Sequence, residues 1–145
     1  MASKHEYRFY SFTNMYLSSI QKGIQTGHAI SEMSVEAYFP DAKKAYKTWA
    51  KKDKTVIVLN GGNQAMLFEL YNYAQEFGRN HNLPVIKFHE DEQSLNGALT
   101  AVGIVLPKSV YDMARELRNG TISPESFNYE DLVFYNALNA CGLAN

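Results

Sequence analysis

The sequence predicts an α/β chain folded as a layered sandwich, with helices on both faces of a small, mostly buried sheet. Three observations predict it. Strand-like and helix-like segments alternate from one end of the chain to the other. One of them, TVIVLN at 55–60, is β-branched and almost wholly apolar, as a strand covered on both faces must be. The chain has 145 residues, 46% hydrophobic and 20% charged, which suffices for one core and is too apolar for disorder.

The elements follow in order. Residues 7–12 are rich in aromatics and read as a first strand, after which Ser11, Thr13 and Asn14 supply turn and helix-cap chemistry. Over 17–39, Ile20, Ile24, Gly27, Ile30 and Met33 recur at three- and four-residue steps, the mark of a helix. Pro40 stops it. Residues 42–52 predict a second helix with Ala45, Tyr46 and Trp49 as its apolar side, while Lys43, Lys44, Lys47, Lys51, Lys52 and Lys54 read as a solvated basic face or, alternatively, a phosphate-facing edge. After the strand at 55–60, Asn60-Gly61-Gly62-Asn63 is a turn and not a phosphate loop, because the Walker lysine and hydroxyl are missing. A helix over 64–77 follows, with Gly78 as its C-terminal cap. Residues 84–88 and 99–106 give a third and a fourth strand, separated by the acidic loop HEDEQSLNG. Pro107 opens a helix that Asn119-Gly120 ends, and a last helix spans 129–140. No repeat or long linker divides the chain. One domain is expected, with its core over 6–118 and a C-terminal helical extension over 122–145.

Composition narrows the class. Net charge is −1, without the basic excess that many phosphate contacts require. No apolar stretch approaches the ~20 residues that span a bilayer, and the first ten residues hold no apolar leader core, so a cytoplasmic protein without membrane contact is expected. The single cysteine, Cys141, builds neither a disulfide framework nor a zinc site and reads as a helix-packing residue. His5, His28, His81 and His89 lack metal-ligand spacing, so neither a metal nor a cofactor is expected.

Gln25-Thr26-Gly27-His28-Ala29 resembles the Q-x-x-H-A signature on the first helix of the type-2 peptidyl-tRNA hydrolases. Thr13-Asn14 sits where those enzymes leave their first strand, and Trp49 and the strand at 55–59 follow at a similar distance. GALTAVGI at 97–104 is similar to the family's late segment, in which a loop with an acidic residue precedes a threonine and the final strand. The resemblance covers residues 7–117. It implies a three-layer α/β/α sandwich around a four-stranded mixed sheet, dimer formation, and metal-independent hydrolysis of the ester joining a peptide to tRNA. The family's lysine-bearing, Gly-rich turn is altered here: Gln21 falls where the second lysine stands, and Lys22 lies one residue later, a step of about 100° around a helix. The run at 10–16 also resembles homologues in large tailed phages.

His28 is the leading candidate for proton transfer, since its ordinary pKa suits that task near neutrality. Helical spacing places Gln21, Gln25 and His28 on one face. Glu90, Asp91 and Glu92 offer an acid that orients a histidine or activates water. Thr100 at a strand start, and Thr13 and Asn14 beside a helix N-terminus, are donors for a phosphate or oxyanion. Tyr10 and Tyr16 are base-stacking or core residues. Catalytic roles are thus expected for His28, Lys22, Glu90 and Thr100, and ligand contacts for Thr13, Asn14, Tyr16, Ser18, Gln21, Gln25, Asp91 and Asn96.

Three functions stay open. One is a phage hydrolase that cleaves a small nucleotide phosphodiester, such as a cyclic dinucleotide defence signal, in the cytoplasm of an infected cell. Another is a peptidyl-tRNA hydrolase. The last is a binding module that sequesters a nucleotide without turnover. The altered lysine and the near-neutral charge favour a small nucleotide over tRNA as partner. A homodimer is expected by resemblance.

Overall fold

The computed structural model describes residues 6–36, 40–91 and 97–144. The chain runs β1 (Tyr7–Thr13), α1 (Ser19–Val35), α2 (Pro40–Thr48), one π-helical turn (Trp49–Asp53) and β2 (Thr55–Asn60). It continues with α3 (Gln64–His81), β3 (Val85–His89), β4 (Leu99–Pro107), α4 (Lys108–Arg118), a 3-10 turn (Pro124–Ser126) and α5 (Tyr129–Ala140).

The four strands form one open mixed sheet in the order β2-β1-β4-β3. β1 is parallel to β2 and antiparallel to β4, and β3 is antiparallel to β4. Alternation along β1 sends Phe9 and Ser11 to one face, against Trp49 and Thr26, and Arg8 and Tyr10 to the other, against Tyr111. Helices α1 and α2 therefore cover the first face, and α3, α4 and α5 the second. The interior confirms an α/β sandwich: Phe9 and Phe12 of β1, Val102 and Ile104 of β4, and Phe77 and Phe134 of α3 and α5 have no exposed surface. Phe77 stacks on Phe134 at 4.3 Å, so α5 belongs to the same core as the sheet. Beyond it, Leu143 bridges to Leu59, and the Ala144 N–H donates to Val58 O, which ties the C-terminal segment to edge strand β2.

Trp49 is a core residue: it is buried, lies 5.3 Å from the Phe9 ring, and donates its indole N–H to Thr55 O at 2.7 Å. The glycine expected to cap α3 has another task. The helix runs four residues past Phe77 and ends on Asn82, in the left-handed region at φ 57°. Gly78 lies inside the last turns, where a Cβ would meet Val85 Cγ2 at 2.6 Å and Leu83 O at 2.7 Å. It lets β3 return close to the helix.

The inner face of α1 is also displaced from the one its isoleucines mark. Ile20 is 77% and Ile24 49% exposed, and Gly27 faces open space. The buried face is Lys22, Gln25, Thr26, Ala29 and Met33. The apolar stripe and this stripe share the helical period, and the polar one is turned inward because the sheet offers it partners.

Candidate functional site

The carboxyl ends of β1, β2 and β3 and the amino end of β4 meet at one end of the sheet, as the pairs Thr13↔Asn60 and His89↔Leu99 show. β1 leads into α1 on one face, and its neighbour β2 leads into α3 on the other. Open α/β sheets bind ligands at such a switch point, where the connections part and leave a crevice. Two backbone bonds lace it together: Gly61 N–H donates to Thr13 O at 2.8 Å, and Met15 N–H to Gly62 O at 2.8 Å.

α1 starts at this end. Ser18 caps it: its Oγ accepts from Gln21 N–H at 3.2 Å, while Gln21 Oε1 accepts from Ser18 N–H at 3.4 Å. Ser18 and Gln21 are thus engaged in helix initiation, and Gln21 is exposed on a different face from Gln25. One step along, Lys22 is only 6% exposed and turns toward the sheet. Its ammonium finds no hydrogen-bond acceptor or counter-ion among the described residues.

Next to it lies a connected polar chain. Thr100 Oγ1–H donates to Gln25 Oε1 at 2.8 Å and lies 3.2 Å from Phe88 O. This fixes the Gln25 amide so that its Nε2–H donates to Glu90 Oε2 at 2.7 Å. The second Glu90 oxygen accepts from Asp91 N–H at 3.1 Å. Glu90 is held from both sides, ionised groups being strong acceptors. A β-bulge makes the chain possible. Phe88 pairs with Ala101 and His89 with Leu99, so Thr100 is the extra residue, and its side chain is aimed at α1 instead of the far face.

On β1, Ser11 Oγ and Thr26 Oγ1 share a hydrogen bond of 2.7 Å, and Thr13 Oγ1 donates to Leu59 O at 2.8 Å. Asn14 folds the exit from the strand: Nδ2 donates to Leu99 O at 3.3 Å, and Oδ1 accepts from Tyr16 N–H at 3.0 Å. The Tyr16 side chain is exposed beyond it.

Of the expected catalytic residues, Glu90 and Thr100 meet at Gln25, and Lys22 stands one helical turn before it on the same buried face of α1. His28 lies one helical turn on, exposed at the rim, its ring edge-on to Phe88 at 4.9 Å. Thr13 and Asn14 border the group; Asp91 is exposed and adjoins Glu90. Asn96 and Glu92 lie outside the described residues. Ser11 and Thr26 were not expected as site members. Their signal is the polar stripe 22, 25, 26 on α1, which the isoleucine stripe masks.

Among the described residues, no group of three His, Cys, Asp or Glu side chains gathers to hold a metal ion, and no helix is long and apolar enough to cross a membrane. Set beside known proteins, the chain matches no protein-family model and no curated sequence.

Proposed function

We propose that this cluster is a hydrolytic centre for a small nucleotide phosphodiester, a cyclic dinucleotide being the substrate class, on a fold of the type-2 peptidyl-tRNA hydrolase kind. One observation carries the reading. The buried polar side chains among the described residues, Ser11, Thr13, Asn14, Lys22, Gln25, Thr26 and Thr100, all belong to this one neighbourhood. Burying polar groups is unfavourable, and concentrating them beside an unpaired cation is the arrangement expected of a site built for an anion.

In this mechanism the Lys22 ammonium faces the phosphoryl oxygens and opposes the charge that grows there. Glu90, aimed by Gln25, takes a proton from water as the water oxygen bonds to phosphorus. The ester P–O bond breaks, and the leaving oxygen takes its proton from His28 at the rim. Thr100 acts through Gln25 and is a positioning residue. Few phosphate contacts are needed for so small a ligand, which agrees with a net charge of −1. A homodimer and an anti-defence role in an infected cell belong to the same proposal. Light scattering after size-exclusion chromatography tests the dimer, and a monomer mass would remove it.

The deciding experiment incubates the protein with cyclic dinucleotides, cyclic ADP-ribose and peptidyl-tRNA and follows products by chromatography. Cleavage of a cyclic dinucleotide, lowered about 100-fold or more by Glu90→Gln and by His28→Ala, is the expected result. Cleavage of peptidyl-tRNA alone would replace the substrate class. A nucleotide recovered intact after heating would make the protein a sequestering module.

A further inference from the structure

A second charged concavity lies on the far face of the sheet. β1 sends Arg8 toward α4, whose last turns carry Arg115 and Arg118, and the three side chains line one cavity of about 320 Å³. That volume lies at the small end of ligand pockets. Leu59 and Leu138 give it an apolar wall, and Tyr10 stands beside Arg8.

The carboxylates nearby do not neutralise it. Glu6 Oε1 is 3.8 Å from Arg8 Nε, too far for a hydrogen bond. Asp112 accepts from Lys108 at 2.7 Å through Oδ2, and its Oδ1 is 3.3 Å from Arg115 Nη2 as an ion pair without hydrogen-bond geometry. Three arginines and a lysine thus face two carboxylates. Arg118 has no partner among the described residues, and Arg8 Nε is buried without a hydrogen bond. The Arg8 guanidinium sits 4.0 Å over the Tyr111 ring, which fixes its plane, with Tyr10 as a side-chain hydrogen-bond partner. The helix dipole favours arginines in the last turn of α4. It does not account for their meeting an arginine from β1.

We propose that this cavity binds a small phosphate-bearing molecule, with the Arg8, Arg115 and Arg118 guanidinium groups on the phosphoryl oxygens. A planar fork of donors matches phosphate geometry, and the ring beneath Arg8 holds that fork in place before the ligand arrives. The site is separate from the Lys22 cluster and does not depend on the hydrolase reading.

Calorimetric titration with inorganic pyrophosphate tests it. Saturable binding is expected in the wild type and in Lys22→Ala. The double variant Arg115→Gln/Arg118→Gln weakens it about tenfold or more, and because both side chains are exposed its melting temperature changes by no more than a few degrees. Absence of saturable binding would overturn the proposal. So would binding that survives the double variant and disappears in Lys22→Ala, since the anion would then sit at the polar cluster.

Discussion

Lys22 is the residue on which the candidate site turns. Its side chain is buried and its charge has no counter-ion among the described residues, so a neutral side chain of similar length should fold about as well. Lys22→Met is expected to keep or raise the melting temperature while lowering phosphodiester turnover about 100- to 1,000-fold. Thermal denaturation and a product assay on the same preparation check both halves. A clear drop in melting temperature would give the lysine a structural role instead. Cys141 behaves in the opposite way. Burial alone pushes its thiol up to about 11, so at pH 8 it is almost wholly protonated and a poor nucleophile. Alkylation by iodoacetamide at that pH should be slow in the folded protein and fast in denaturant, with mass spectrometry as the readout.

At the scale of elements, the packing of α3 on α5 rests on one ring. Phe77 has no exposed surface and lies 4.3 Å from Phe134, 4.2 Å from His81 and 5.4 Å from Tyr135. Phe77→Ala should destabilise the fold by about 3–5 kcal/mol in a urea titration, the range for emptying a large aromatic site. On α4 the Asp112 carboxyl is held below its usual range, chiefly by the hydrogen bond from Lys108, with burial opposing. A group whose pKa is lowered by folding adds stability above its ordinary pKa, and that stability fades as pH falls through the lowered value. Asp112→Asn should therefore flatten the acid limb of a plot of melting temperature against pH. The strands were legible in the sequence because each is a compact run of β-branched or aromatic residues with a turn beside it. The inner face of α1 was not. Ile20 and Ile24 outrank Lys22 and Thr26 on any hydrophobicity scale, and only the partners across the sheet, Ser11 among them, reveal which stripe goes inside. Gln25, Glu90 and Thr100 could be picked out singly. Their joining depends on a bulge at Thr100 that no local pattern announces.

The whole molecule is organised around a central pair that the sequence does not advertise. β1 lies between β2 and β4, and Tyr7 is in register with Pro107. Nothing in either strand marks them as neighbours, because pairing over such a span is set by the finished sheet and not by adjacent turns. Contacts of this reach must be closed before they add stability, so refolding should fall in the slow, millisecond-to-second class, as stopped-flow tryptophan fluorescence from Trp49 would measure. In the cell the same register becomes a matter of timing. β1 leaves the ribosome well before β4, so one of its two edges stays bare until the residues of β4 have been made and have cleared the exit tunnel. At roughly 5–20 residues per second that wait lasts several seconds. During it the aromatic run Tyr7–Thr13 is open to other nascent chains. The newborn protein is therefore most vulnerable at β1, and a helper that shields this strand during synthesis would raise the yield more than one that acts after release.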